Sequence, residues 1–278
     1  FETIKKNKLR TFLSGFTVAL GIFIFIILFG FGNGLKNSFK EFFLDDATNI
    51  LYIESGKTSK PFKGYKASRR IEFENEDLYD IKKFFSFYLE YITPRITRGA
   101  KIKFKNEYGN YTTRAVAPSH QFAEKTIVFS GRYLNDTDIK QKKKVAVIGR
   151  LVARDLFGEE DPIGKFVDIG KTVFKVVGVF KDSGGDNEER FVYIPYTTRQ
   201  KMEKATKKIG SIIVAFKPEI GNSGALAFEK QLREYLKQKK FIAPSDSKGI
   251  FIRNVSDDLK RNQQFASALQ VIVTFVGI

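Results

Sequence analysis

Apolar and polar positions divide this chain into three blocks. From Thr11 to Leu35 there is no charged residue, and a second uncharged, apolar run opens at Asn262 and continues to Ile278. Residues 36–261 between them have the mixed composition of a globular domain. A helix rises ~1.5 Å per residue, so ~20 apolar residues cross a bilayer core of ~30 Å. The first run therefore predicts a transmembrane helix over 11–35. The second predicts the start of another span over 262–278, cut short by the last residue. A cleaved signal peptide would have an apolar region of only ~7–15 residues, closed by a small-residue cleavage site. The stretch Leu28-Phe29-Gly30-Phe31-Gly32-Asn33-Gly34 contains no Ala-x-Ala pattern, which favours an uncleaved span. Gly30, Gly32 and Gly34 are expected to loosen the last turns of that helix.

Within the middle block the periodicity switches between two and 3.6 several times. Asn49 to Glu54 reads as a strand after an acidic turn at Asp45-Asp46, and Ser55 to Arg70 as an exposed loop. A helix follows, with Asn75 as its cap, Glu76 and Asp77 in its first turn, and Leu78, Ile81, Phe85 and Tyr88 on one face. Strands are predicted over Ile92 to Thr97, Lys101 to Lys105 and Tyr111 to Ala117, the last two joined by a turn at Asn106 to Asn110. Val145 to Ile148 predicts a buried strand, and Leu151 to Phe157 a short helix stopped by Gly158. Phe166 to Ile169 and Thr172 to Phe180 alternate cleanly around Gly170-Lys171, a two-residue hairpin signal. Phe191 to Ile194, Ser211 to Phe216 and Ile250 to Arg253 are further strands. A long helix begins at Asn222 or Ser223, with Ala225, Phe228, Leu232, Tyr235 and Leu236 on its apolar face. The sum is a mixed α+β domain flanked by membrane helices.

Charge gives the orientation. Lys5, Lys6, Lys8 and Arg10 crowd the flank 1–10 of the first span, which the positive-inside rule places in the cytoplasm. The middle block then lies outside. The net charge is +17, and most of it belongs to that block, which is basic in its own right. Its densest run, Lys140-Gln141-Lys142-Lys143-Lys144, reads first as a solvated surface, second as a contact for an anionic envelope surface and last as a nucleic-acid site, since the positives are otherwise scattered. In the span, Gly15 and Ala19 stand four apart, as do Thr17 and Gly21, a spacing of small residues that lets membrane helices approach closely.

Catalytic and metal chemistry has few residues to work with. The chain has no cysteine, and its single histidine, His120, lies in Pro118-Ser119-His120-Gln121 and reads as a surface or loop residue. Zinc sites and Ser-His-Asp triads both need more than that. No GxxxxGK[ST] motif occurs, so ATP is not bound here through a P-loop. Gly184-Gly185-Asp186-Asn187-Glu188 is similar to a cyclase signature but has no cyclase-like surroundings. Asp182, Asp186, Glu188 and Glu189 form an acidic loop that reads as solvated rather than calcium-binding. No catalytic, cofactor or metal residue is expected in this chain.

The most specific stretch runs from Ser130 to Tyr196. Its Gly131-Arg132 and Asp136, Val145 to Gly149, Leu156 to Gly158, Asp161 to Lys165, Phe174 to Val179 and Ile194-Pro195 resemble the periplasmic core domain of MacB-type permeases of ABC transporters. These belong to an FtsX-, LolC- and LolE-like superfamily. Asn7 to Leu13 also resembles the family's lead into its first span. Pro162 fixes its own φ and restricts Asp161, and Gly164 permits a turn that a side chain would obstruct. Gly131, Arg132, Gly149, Asp161, Pro162, Gly164, Gly178 and Pro195 thus read as a folding signature. The resemblance implies an outer domain over 36–261 with two lobes. A porter-like lobe would span about 46–117 and 211–255, and an inserted sabre-like lobe about 118–210. It further implies four spans, a second permease protomer, a cytoplasmic ABC ATPase subunit that binds the ATP and magnesium, and an envelope adaptor. Mechanotransmission would be the function, with the cargo unnamed. The alternative with the same two-span layout is a membrane-anchored sensory receptor; a membrane-anchored hydrolase is third.

Overall fold

The computed structural model describes residues 8–45, 48–182 and 187–276. The chain divides into two compact units, one holding the two terminal helices and the other Asp45–Asp257.

In the first unit, helix α1 runs over Lys8–Asp45. Its apolar part, Arg10–Phe31, covers 22 residues. At ~1.5 Å per residue that is enough to cross a bilayer core. Phe12, Phe16, Ile22, Phe23 and Phe31 are all exposed, so the helix is apolar around its whole circumference, as a lipid-facing helix is. The expected loosening at Gly30, Gly32 and Gly34 does not occur, and the backbone stays helical to Asp45. Glycine lowers helix propensity by ~1 kcal/mol but keeps its N–H. Proline, which would break the ladder, is absent from 8–45. Asp45 of the expected turn is the last residue of α1, and Asp46 lies outside the described residues.

The second unit opens with β1 (Ile50–Ser55) and β2 (Phe73–Glu74), then α2 (Asn75–Phe84). The cap of α2 is Glu74, not Asn75: the Glu74 N–H donates to the Asp77 carboxylate at 2.8 Å, while Asn75 exchanges amide hydrogen bonds with Gln200. Next come β3 (Leu89–Phe104) and β4 (Glu107–Val116). The two strands predicted over 92–105 are one, because Arg98, Gly99 and Ala100 pair without a break with Thr113, Thr112 and Tyr111. Their hairpin turn is only Lys105-Asn106, and Gly109 and Asn110 already belong to β4. The chain continues through α3 (His120–Ala123), β5 (Ile127–Gly131), α4 (Asp136–Lys140), β6 (Val145–Gly149), α5 (Arg150–Phe157), β7 (Phe166–Ile169) and β8 (Thr172–Lys181). A 3-10 turn at Glu188–Arg190 leads to β9 (Phe191–Pro195), α6 (Tyr196–Met202), β10 (Lys208–Ile209) and β11 (Ser211–Phe216). Last are α7 (Gly221–Lys239), β12 (Ile250–Asn254) and α8 (Val255–Val276), the helix that passes into the first unit. Helix α7 starts earlier than its predicted caps because Pro218–Ile220 already turns the chain helically, and the Asn222 side chain instead accepts from Ser256.

Ten strands form one sheet in the order β12-β1-β11-β3-β4-β9-β6-β8-β5, with β7 pairing both β3 and β8. The strands from 46–117 and 211–255 lie on one side of this path and those from 118–210 on the other; β4–β9 and β3–β7 join them. The two-stranded β2–β10 pair stands apart. Fully buried Phe73, Phe174, Phe228, Ile53, Ile81, Ile96 and Ile102 belong to one core that spans both sides. On α7 the buried face is Ala225, Phe228, Leu232 and Leu236, the stripe its sequence presents.

Candidate functional site

The signature residues meet on β8. The Arg132 N–H donates to the Val177 carbonyl at 2.8 Å, and a Cβ placed on Gly178 would lie 2.2 Å from the Arg132 carbonyl oxygen. Only glycine allows that crossing. On the same strand the Gly164 N–H donates to Val176, and the Val176 N–H returns to Lys165. Ile163, between Pro162 and Gly164, reaches to the backbone of Gly131. The Asp161 carboxylate closes this turn by accepting the Ile163 N–H at 3.0 Å. Gly164 is needed here for its φ of +81° rather than for room, since nothing lies within 4 Å of a Cβ there.

The Arg132 side chain forms a bidentate pair with Asp138 at 2.6 and 3.1 Å. Asp136 is exposed in the first turn of α4 and does not take part. Asp138 is buried and also accepts the Asn135 N–H, while the Asn135 side chain caps the Asp138 N–H: a reciprocal capping box. Gly149 sits elsewhere, with a would-be Cβ 2.0 Å from the Glu189 carbonyl oxygen. The Glu189 side chain is buried and pairs with Arg150 at 2.7 Å. Pro195 ends β9 opposite Val116 and leads into α6.

A second cluster lies where β3, β4 and α3 meet. Glu124, just after α3, is buried and accepts from Arg95 at 3.3 Å and Arg114 at 2.9 Å. His120 is fully buried, with Nδ1 3.3 Å from the Tyr133 hydroxyl and its ring edge-on to Tyr193. This overturns its reading as a surface histidine. Burial pushes the imidazole down to about 3, so it is neutral, and its 3.6 Å approach to Glu124 is not an ion pair. Burial also works against the Glu124 charge, but positive groups outweigh it and hold the carboxyl below its ordinary range. With His120 neutral, the two guanidiniums carry that effect. Arg95 and Arg253 lie over the Tyr52 ring at 5.3 and 4.7 Å, flooring a cleft of about 300 Å³.

The remaining expected residues stand apart from both clusters. Lys8 and Arg10 are exposed at the start of α1; Lys5 and Lys6 lie outside the described residues. Among the described residues nothing lies within 4 Å of a Cβ on Gly15 or Gly21, and Ala19 is exposed. Of the acidic loop, Asp186 and Gly184-Gly185 lie outside the described residues, and Glu189 is a buried ion-pair partner rather than a solvated side chain. Among the described residues no group of three His, Asp or Glu side chains is placed to hold a metal. The sequence reading missed Glu124, Arg95, Arg114 and Asp138. Only Asp138 left a local signal, the Asn135-x-x-Asp138 capping pattern.

A mixed α+β domain held by buried ion pairs and glycine crossings, and joined to a helix of membrane-crossing length, has the layout of a permease's extracytoplasmic domain. Comparison with known proteins gives the family. The model of the MacB-like periplasmic core domain matches residues 11–227. The chain is 24% identical over 253 residues to the macrolide export ATP-binding/permease protein MacB of Bdellovibrio bacteriovorus, covering 90% of this chain and 38% of that protein. It is 29% identical over 223 residues to the protein of the same name from Wolinella succinogenes, covering 77% and 33%. The chain thus spans well under half the length of these relatives. The crystal structure of the periplasmic region of MacB from Actinobacillus actinomycetemcomitans superposes with a TM-score of 0.64 at 26% identity, covering 80% of this chain and 95% of that one. The extracellular domain of the noncanonic ABC-type transporter YknZ shares the fold, with a TM-score of 0.60 at 18% identity, covering 74% and 100%. The chain belongs to the MacB-like periplasmic core domain family.

Proposed function

We propose that this domain is the moving part of a mechanotransmission permease, carrying motion from membrane helices to the cell envelope for export or release of a substrate. One observation carries the reading. Strands β1 and β12, which continue covalently into α1 and α8, pair directly with each other through Leu51↔Asn254 to Ser55↔Ile250. A displacement of either helix is therefore delivered to two hydrogen-bonded neighbours at one edge of a continuous sheet. From there β3, ~50 Å long at ~3.3 Å per residue, leads into the other half without a hinge. ATP hydrolysis belongs to a separate cytoplasmic ABC ATPase subunit with its magnesium. The complete permease has four spans in a bacterial inner membrane, and it works with a second protomer and an envelope adaptor. Its domain divides into the porter-like and sabre-like lobes given above, and Gly15, Ala19 and Gly21 face a neighbouring span. Lys5, Lys6, Lys8 and Arg10 hold the N-terminal flank in the cytoplasm.

The test uses the full-length protein copurified with its ATPase in proteoliposomes. A flexible Gly-Ser insertion at Thr48, between α1 and β1, is expected to abolish vectorial transport while leaving ATP turnover. Macrolide efflux is the first assay because relatives carry that name. Transport that survives the insertion refutes coupling through this strand, and a failure to recover any ATPase subunit refutes the separate-ATPase arrangement.

A further inference from the structure

The stretch between β1 and β2, an exposed loop by its sequence, is folded into a strap. Its tip is a two-residue hairpin turn: Phe62 and Tyr65 exchange backbone hydrogen bonds at 3.0 Å around Lys63 and Gly64, whose φ values are +46° and +85°. The strap is fastened to the C-terminal end of α7. The Arg69 guanidinium donates to the Lys240 and Phe241 carbonyls at 2.6 and 3.1 Å and lies over the Tyr65 ring, which stacks on Phe241. On the other limb, the Asp246 carboxylate accepts the Ser59 and Lys60 N–H groups. Within residues 57–70 only Thr58 is buried, so this order adds little to the core while fixing the backbone costs entropy. A long ordered connection that the core does not use points to a role in binding.

Between the tip of the strap and α7 lies a groove of about 530 Å³, the size of a small-molecule site. Its apolar walls are Phe62 of the strap, Leu226 of the helix, and Ile242 and Pro244 beyond the helix end. Its charges are unequal. Lys230, Arg233 and Lys237 follow Leu226 along one stripe of α7, and Lys63 stands opposite, against Glu229 and Glu234. Glu229 is already paired with Arg233 at 2.6 Å and accepts from Asn254. Exposed Glu234 is left to face three lysines, none of which has a carboxylate partner among the described residues. Lys237 is the most telling of them. It is half-buried, its ammonium donates to the Pro244 carbonyl at 2.8 Å, and burial followed by the Arg233 charge lowers its pKa. Asp246 attracts it, but the oxygens of that carboxylate are occupied by the N–H groups of Ser59, Lys60, Lys248 and Gly249. An anion in the groove supplies the missing counter-charge where water is partly excluded and a charge-assisted hydrogen bond is strong.

We infer that this groove binds a small amphipathic organic acid, with its apolar body against Phe62, Leu226, Ile242 and Pro244 and its carboxylate among Lys63, Lys230 and Lys237. An apolar body alone leaves the lysines without a counter-charge, and an anion alone leaves the apolar walls wet, so the groove selects for both in one molecule. All of these residues belong to the unit Asp45–Asp257, and the site does not depend on how that unit is coupled to the terminal helices.

Full-length protein in phosphatidylcholine nanodiscs is illuminated with para-benzoylbenzoate, an aryl carboxylate whose ketone crosslinks to nearby C–H bonds, and the labelled peptides are mapped by mass spectrometry. Attachment is expected within residues 59–65 and 226–244 and should be displaced by naphthoate. The uncharged para-benzoylbenzamide should label there about tenfold less, the equivalent of one lost hydrogen bond to a charged group. The Lys230→Gln, Lys237→Gln variant should lose the preference for the acid, and Lys230→Arg, Lys237→Arg should keep it. The melting midpoint checks that the Gln variant folds; Lys230→Gln alone, at an exposed position, carries the same test if the double variant does not. Labelling that misses both segments, is equal for acid and amide, or is undiminished in the Gln variants overturns the site. Acetate that displaces the probe as readily as naphthoate overturns it too, because charge alone would then suffice. None of these results bears on the transport reading, which stands or falls with the Gly-Ser insertion.

Discussion

The buried imidazole gives the sharpest prediction, because the chain has no other histidine. His120 is neutral in the folded domain down to about pH 3, whereas in the unfolded chain it titrates near its ordinary value of ~6.5. Below that value the unfolded state binds a proton that the folded state refuses, so stability is full above about pH 6.5 and declines as pH falls toward 3. The slope approaches ~1.4 kcal/mol per pH unit, and between about pH 7 and pH 5 the loss comes to ~2 kcal/mol. Carboxylates titrate lower and the α-amino group higher, so this window belongs to His120 alone. For a domain of this size ~2 kcal/mol lowers the melting midpoint by ~4–8 °C. The chain has no tryptophan and 11 tyrosines, two of them, Tyr133 and Tyr193, packed around His120, so tyrosine emission follows the melt. The wild type should lose its midpoint progressively from pH 7 to 5, and His120→Gln, which cannot titrate, should stay flat. A flat wild-type profile, or an unchanged slope in His120→Gln, refutes the assignment of a neutral buried imidazole.

Three further substitutions separate mechanisms. Gly178→Ala drives a methyl into the Arg132 carbonyl and should cost about 3 kcal/mol or more, while Gly164→Ala meets no atom and bears only the strain of its positive φ, ~1 kcal/mol. Equal shifts in the two melts would contradict the geometry. Asp246 accepts backbone N–H groups from Ser59, Lys60, Lys248 and Gly249 at 2.6–3.1 Å. Burial opposes its charge, yet these donors hold its carboxyl down at about 2. Its contribution is present above about pH 4 and disappears as pH falls through about 2. Asp246→Ala orphans the donors and should lower stability at neutral pH by ~3 kcal/mol, read as a drop in melting midpoint; an unshifted midpoint would remove this role.

What the sequence made legible was local. The β7–β8 hairpin follows from strict alternation around Gly170-Lys171, the end of α5 from Gly158, and the buried face of α7 from its 3.6-residue stripe. What it hid depends on distant partners. Nothing near His120 announces that Tyr193 will cover it. Glu124 becomes a buried carboxylate only because β3 and β4 bring Arg95 and Arg114 to it. Strand β3 was cut in two by Arg98-Gly99, whose low strand propensity is overridden by continuous pairing with β4. The two-residue strands β2 and β10 are too short to leave a pattern at all.

The signature block and the ionic cluster answer different demands. At Gly178 and Gly149 a side chain is forbidden because another backbone passes within about 2 Å of where its Cβ would be, so these residues record strand crossings and carry no information about cargo. The Arg95-Glu124-Arg114 cluster is different: a buried ion pair is a poor source of stability compared with apolar packing, but removing one partner is costly. It therefore fixes one arrangement of β3, β4 and α3 rather than strengthening several. That is the property the proposed mechanotransmission would need where the sheet's two halves join, since a junction with alternative packings would absorb displacement that a single packing passes on. Under the proposed function any cargo specificity would lie on the exposed faces and loops, while the buried signature accounts for how the domain holds its shape.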